Sequence, residues 1–207
     1  MVRSGTGALK HEKEPPVDKR QLVMEAAVRV FSQRGYRATS MWDLARAVGL
    51  SKPSLYHYVS SKEALLVELY EGVTAAGVES ARGMLERDDV EPADAIRQLL
   101  VERIEFTCDN RRLLQIFFEE EAEIPPDLTR EMRRQRRLYE DALIELLNRA
   151  AMNGSVHFET TPRIAVNTLL GAAHWTYKWF DAKGVKTSHE VAEEIADILL
   201  NGLLTRP

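Results

Sequence analysis

Apolar positions recur along most of this chain at the three- and four-residue spacing of amphipathic helices. Residues 19–34 carry Leu22, Ala26, Val30 and Phe31 at that spacing, and Gly35 follows as a stop signal. The pattern then shortens. Ser40 precedes a brief apolar-periodic run and is followed three residues later by Asp43, the arrangement of a capping box. Leu44, Ala45 and Val48 continue the run, and Gly49 ends it because glycine tolerates the left-handed conformation. Ser51 caps the next short helix, Pro53 sits in its first turn, and Leu55 and Val59 form its inner face. Ser60 or Ser61 opens a long fourth helix with Leu65, Leu66, Leu69 and Val73 inward. After a break at 88–92, further helices are predicted over 93–108, 111–122, 128–152, 162–182 and 188–204. Ile96, Leu99, Leu100 and Ile104 face inward on the first of these, and Val156-His157-Phe158 forms a short extended connector. No strand alternation persists, so the fold class is all-α, with about nine helices.

Charge divides the chain in two. Its net charge is −4, but residues 1–62 hold 11 Lys/Arg against 5 Asp/Glu, whereas residues 63–207 hold 17 against 27. A basic module therefore sits on an acidic body, and the body repels a polyanion that the module attracts. Residues 1–17, with Gly5, Gly7, Pro15, Pro16 and mixed charge, are expected to be a flexible tail. Arg3, Lys10 and Lys13 would suit a minor groove, but Glu12 and Glu14 dilute them. The single cysteine, Cys108, excludes an internal disulfide framework and a cysteine zinc site, and reads as a buried or half-buried structural thiol. The longest uncharged run, residues 164–177, is too short to span a bilayer, and no signal peptide is visible. The chain is expected to be cytoplasmic, with no membrane partner.

Two short helices around a glycine turn, on a basic module, make a helix-turn-helix whose second helix enters a major groove of double-stranded DNA. The order and spacing of particular residues go further. Ala26-Ala27, Phe31, Gly35-Tyr36, Ala38-Thr39-Ser40, Asp43-Leu44-Ala45 and Val48-Gly49-Leu50-Ser51 lead into Ser54-Leu55-Tyr56-His57-Tyr58-Val59 and Ser61-Lys62-Glu63-Ala64-Leu65. Over about residues 19–69 the chain resembles the DNA-binding domain of the TetR family of transcriptional regulators. The resemblance implies a DNA-binding head at 18–64 and an effector-binding and dimerisation domain at 65–207. It also implies DNA contacts from Ser40 and Trp42, from Lys52, Pro53, Ser54, Tyr56 and Tyr58, and from Lys62, with His57 on a phosphate or on the open surface. Trp42 departs from the pattern, where a basic or polar residue is usual. It either packs on a sugar or thymine methyl or is shielded by the first helix.

For the body, the resemblance implies a pocket and a homodimer interface built from the last two helices. The stripes Ala165, Leu169, Ala172, Thr176 and Val191, Ile195, Ile198, Leu199, Gly202 suit helix contact, either between subunits or within one. A protein reading two half-sites of a palindromic operator needs a twofold partner. Aromatic residues gather at Phe117-Phe118 and along residues 174–180, where they are either core or a pocket wall. As a pocket wall, the site comprises Phe117, Phe118, Trp175 and Trp179 with polar handles from Arg103, Tyr139, His174 and Tyr177. The run Phe117-Phe118-Glu119-Glu120-Glu121 and the Trp175-x-x-x-Trp179-Phe180 spacing are similar to regulators that respond to acyl-CoA thioesters. Arg111-Arg112 and Arg130, Arg133, Arg134, Arg136 and Arg137 either meet the phosphates of such a ligand or form a solvated helix face.

Catalysis is not expected. No histidine has a Glu three residues before it, and there is neither a His-Glu-x-x-His nor a glycine-rich phosphate loop, so no cofactor is implied. The expected function is a repressor released from its operator by a small hydrophobic ligand. The alternative is a ligand-independent DNA-binding protein of the same fold.

Overall fold

The computed structural model describes residues 18–119 and 126–201. The N-terminal tail, Glu120, Glu121, Gly202 and the expected helix ends at 122 and 204 lie outside them, as does the side chain of Val73. Nine helices and no strand occur among the described residues. They are α1 (Lys19–Arg34), α2 (Met41–Val48), α3 (Lys52–Tyr56), α4 (Lys62–Leu85), α5 (Pro92–Asp109), α6 (Arg111–Glu119), α7 (Pro126–Met152), α8 (Pro162–Trp179) and α9 (Ser188–Asn201).

Local chemistry sets the boundaries of the first four. Asp18 accepts from the backbone N–H of Arg20 and caps α1. Ser40 and Asp43 form a reciprocal capping box, with the Asp43 N–H donating to Ser40 Oγ at 3.2 Å and the Ser40 N–H donating to Asp43 Oδ2 at 3.0 Å. Gly49 takes φ 75° and ψ 28°, a left-handed conformation that a Cβ would strain. Ser51 caps α3, and Ser61, not Ser60, caps α4. Proline occupies the first turn of α3, α5 and α8, where no N–H is needed.

The face that α1 buries is Val23, Ala26, Ala27, Val30 and Phe31. Leu22 instead is 40% exposed. The helix is apolar at nearly every position from 22 to 31, so spacing alone left the phase of the buried stripe open by one residue. Val23, Ala27, Val30 and Phe31 join Tyr36, Leu44, Leu55, Leu65, Leu66 and Leu69 in one cluster. That cluster does not stop at the head, because Leu113, Leu114, Ile116 and Phe117 of α6 and Leu128 of α7 belong to it. Tyr70 and Phe117 meet edge to face at 5.1 Å across the junction. Arg20 ties α1 to α4 through a two-pronged pair with Glu68 and also donates to the Tyr58 carbonyl at 2.8 Å.

The body is arranged around α5, which packs against α7, α8 and α9, while α4 lies along α7. One cluster joins Leu99, Leu143, Leu146 and Val166, and another joins Ile104, Ala173, Val191 and Ala196. Cys108 is fully buried, and that burial pushes its thiol pKa up. The α8 helix stops at Trp179, short of the expected residue 182, because Phe180 turns to an extended conformation (ψ 127°) and buries its ring.

Candidate nucleic-acid interface and body cavity

The head presents α3 on the outside of its core. Leu55 is buried, and its neighbours Lys52, Pro53, Tyr56 and His57 are exposed. Pro53 stiffens the helix start. Ser54 is half-buried, with its hydroxyl 2.7 Å from that of Ser51. Tyr58 is also half-buried and packs against the head core. Trp42 is 55% exposed, so α1 does not shield it, and the Arg46 guanidinium lies 5.4 Å from its ring centroid. Arg46 is itself exposed, one turn after Trp42 on the outer face of α2.

Two expected contacts have other work in the fold. The Ser40 hydroxyl is engaged in the capping box. Lys62 donates to the carbonyl of Tyr36 at 2.8 Å and to that of Arg37 at 3.4 Å, and its ammonium lies 4.3 Å from the Tyr36 ring centroid. It thereby fastens the start of α4 to the α1–α2 connection. Lys62→Met is expected to lower stability in urea unfolding by about 1–2 kcal/mol, the worth of one charged hydrogen bond with a cation–π contact. A residue that only held a phosphate would leave the urea midpoint unchanged and would reduce the salt dependence of DNA binding instead.

The body contains a cavity of about 130 Å³ where α4, α5, α6, α7 and α8 converge. Tyr70, Thr74 and Val78 of α4 form one wall, and Phe117, Phe118 and Leu114 of α6 another. Arg103, Tyr139 and His174 supply polar groups from α5, α7 and α8. The Arg103 guanidinium lies 4.3 Å from the Tyr139 ring centroid, and the Tyr139 hydroxyl donates to the Leu99 carbonyl at 3.1 Å. Burial lowers the pKa of His174 to about 4, helped by the nearby positive charges of Arg103 and Arg136. Its imidazole is therefore neutral at physiological pH.

Of the expected pocket residues, Arg103, Phe117, Phe118, Tyr139 and His174 converge here, whereas Trp175, Tyr177 and Trp179 do not line the cavity. The turn of α8 explains the separation. His174 points inward, and Trp175 and Trp179 lie on the outer face, 61% and 52% exposed. Tyr177 lies one turn past His174, and Phe118 packs against both rings at 5.3 Å. Sequence reasoning missed Tyr70, Thr74 and Thr107, whose spacing looks like that of ordinary inward helix positions. In the arginine-rich part of α7, Arg133 and Arg136 reach the cavity, and Arg130, Arg134 and Arg136 pair with Asp127, Glu131 and Glu140 of their own helix. Glu119 pairs with Lys178 of α8.

A helix-turn-helix head joined by a shared helix to an all-helical body defines a DNA-binding regulator. Residues 23–69 match the family model described as "Bacterial regulatory proteins, tetR family", and residues 89–203 match "Tetracyclin repressor-like, C-terminal domain". The chain belongs to the TetR family of transcriptional regulators, which bind operator DNA and are not enzymes. A TetR/AcrR-family regulator from Thermobifida fusca YX-ER1 is 32% identical, covering 91% of this chain and 100% of that one, with a TM-score of 0.71. The transcriptional repressor KstR2 of Rhodococcus jostii (strain RHA1) is 24% identical over 91% of this chain and 96% of its own length. AibR, solved in complex with isovaleryl coenzyme A and operator DNA, shares the fold at a TM-score of 0.76, with 24% identity over 90% of this chain and 100% of that one. No helix among the described residues is long and apolar enough to cross a membrane.

Proposed function

We propose that this chain is a cytoplasmic repressor that binds a palindromic operator as a homodimer and is released by a small apolar ligand, a CoA thioester, held in the body cavity. In this reading residues 18–64 are the DNA-binding head and residues 65–207 the effector-binding and dimerisation body. The observation that carries it is the placement of the cavity against α4. Leu65, Leu66 and Leu69, early in α4, belong to the core of the head, and Thr74 and Val78, further along it, line the cavity. A ligand that separates α4 from α6 and α7 moves the head on the body. The two recognition helices of a dimer must meet major grooves about 34 Å apart, so a shift of a few ångströms suffices to lose the operator. The ligand acts only as far as it binds the released state better than the DNA-bound one.

Support comes from two relatives of the same architecture: AibR holds both isovaleryl coenzyme A and operator DNA, and KstR2 is a repressor. The exposed Arg133 and Arg136 beside the cavity suit the phosphates of coenzyme A. The test is operator binding, on fragments the protein selects from its own genome, titrated with CoA thioesters, the matching free acids and CoA alone. A thioester that lowers operator affinity supports the proposal. If none of the three classes changes it, the protein acts on DNA without an effector in this cavity.

A further inference from the structure

We infer that the cavity is built to take a carboxylate on an apolar ligand, with Arg103 as its anchor and Gly77 of α4 as the seat through which the anchor reaches the DNA-binding head. The inference rests on the reading that this cavity holds the effector, and it names the chemistry that the effector carries.

Charge is the first argument. The sixteen residues lining the cavity include Arg103, Arg133 and Arg136, and none of those described is an Asp or Glu. Arg136 is exposed and pairs with Glu140 at 2.9 Å. Arg103 is different. It is half-buried, no carboxylate among the described residues pairs with it, and its Nε is buried without an acceptor. A half-buried cation with a buried, unmet donor carries a desolvation cost that an anion would relieve. The Tyr139 ring, 4.3 Å from the guanidinium, and the Tyr139 hydroxyl oxygen offset part of that cost, but neither supplies a negative charge or an acceptor for Nε. Neither neighbour is the missing anion: His174 is neutral, and burial raises the pKa of Tyr139, whose protonated hydroxyl donates to the Leu99 carbonyl. The planar fork of a guanidinium matches the two oxygens of a carboxylate. The remaining wall, with Val78, Leu114, Phe117, Met132 and Leu170, fits an apolar body. Two sources share this chemistry: a free organic acid, and an acyl-CoA whose acyl chain ends in a second carboxylate.

Contact with α4 is the second argument. A Cβ built on Gly77 would lie 2.5 Å from Arg103 Nη2, so the guanidinium rests on the bare backbone of α4. Any residue with a side chain there would displace it. A carboxylate that draws the guanidinium into the cavity therefore alters the contact between α5 and the helix that enters the head.

The experiment uses the full chain and calorimetric titration with hexanoate, octanoate and phenylbutyrate, each beside its uncharged amide, together with hexanoyl-CoA and adipyl-CoA. At least one carboxylate is expected to bind about tenfold or more tightly than its amide, or adipyl-CoA than hexanoyl-CoA, the worth of a charged hydrogen-bonded pair. Arg103→Gln should abolish that preference and Arg103→Lys should restore part of it. Gly77→Ala, which only needs the flexible end of Arg103 to move, should keep the helical circular dichroism and lose carboxylate-dependent operator release. If acids and amides bind alike, Arg103 is not a carboxylate anchor and the cavity remains a ligand site. If nothing binds, both readings fall. If Gly77→Ala responds like the parent chain, or loses its helical signal, the coupling through α4 is overturned.

Discussion

Tyr56→Ala is expected to weaken operator binding about a hundredfold while the chain stays folded. The residue is the last of α3 and is 46% exposed, while its neighbour Leu55 is fully buried in the head core. The two side chains therefore divide the work of the helix: Leu55 holds it on the head, and Tyr56 faces outward beside Lys52 and Pro53. A side-chain contact to a phosphate or base edge is worth about 1–2 kcal/mol. A twofold complex loses it twice, so the total is about 3 kcal/mol, or about a hundredfold in affinity. Fluorescence anisotropy on operator duplexes measures the loss, and thermal unfolding followed by circular dichroism checks the fold. Leu55→Ala provides the contrast, because truncating a buried leucine costs about 3–5 kcal/mol of stability. If Tyr56→Ala lowers stability as Leu55→Ala does, Tyr56 is a packing residue and its assignment to the DNA face is wrong.

The head was legible in the sequence because its boundaries are set by chemistry within a few residues. Ser40 with Asp43, Gly49, Ser51 and Ser61 each act on backbone groups close in the chain, and each does so in the structure. The cavity was only half legible. Its lining runs from Tyr70 to His174 on five helices, and no spacing rule joins residues that far apart. Aromatic density along 174–180 suggested one wall, but a helix distributes adjacent residues around its circumference, so His174 went inward and Trp175 outward. On the last two helices periodicity left open whether the stripes meet a second subunit or the subunit's own core. Thr176 and Val191 of those stripes are buried within this subunit, whereas Ile198 is exposed. A stripe of small and apolar residues cannot say which neighbour it packs against, because the subunit's own core and a second subunit make the same demand. Lys62 shows the converse limit. A lysine at a helix start near DNA suggests a phosphate contact, and only the fold reveals the carbonyls of Tyr36 and Arg37 beneath it.

Trp175→Asp is expected to dissociate the proposed homodimer and, with it, to remove high-affinity operator binding. On α8 the outward positions Ile164, Thr168, Gly171, Trp175 and Trp179 follow one another by three or four residues and so form a single stripe. Ile198 and Leu200 of α9 are also exposed. Two tryptophans and an isoleucine open to water along one helix are more apolar surface than an isolated subunit ordinarily displays, and such a patch marks an interface. Gly171 between them leaves room for a second helix to approach closely, and a dry aromatic anchor of this kind is worth about 2–4 kcal/mol. Twofold symmetry places the substitution in the interface twice, so the dimer dissociation constant should rise by at least about a thousandfold, the effect of two such losses at the low end. Sedimentation velocity across a concentration series reads the change directly. Val185→Asp is the control: Val185 is fully exposed beyond the end of α8, off this stripe, and should stay dimeric. A Trp175→Asp protein that sediments as the parent does would show that the subunits meet elsewhere. A monomer that still binds the full operator with parental affinity would show that pairing through α8 is not what brings two recognition helices onto the DNA.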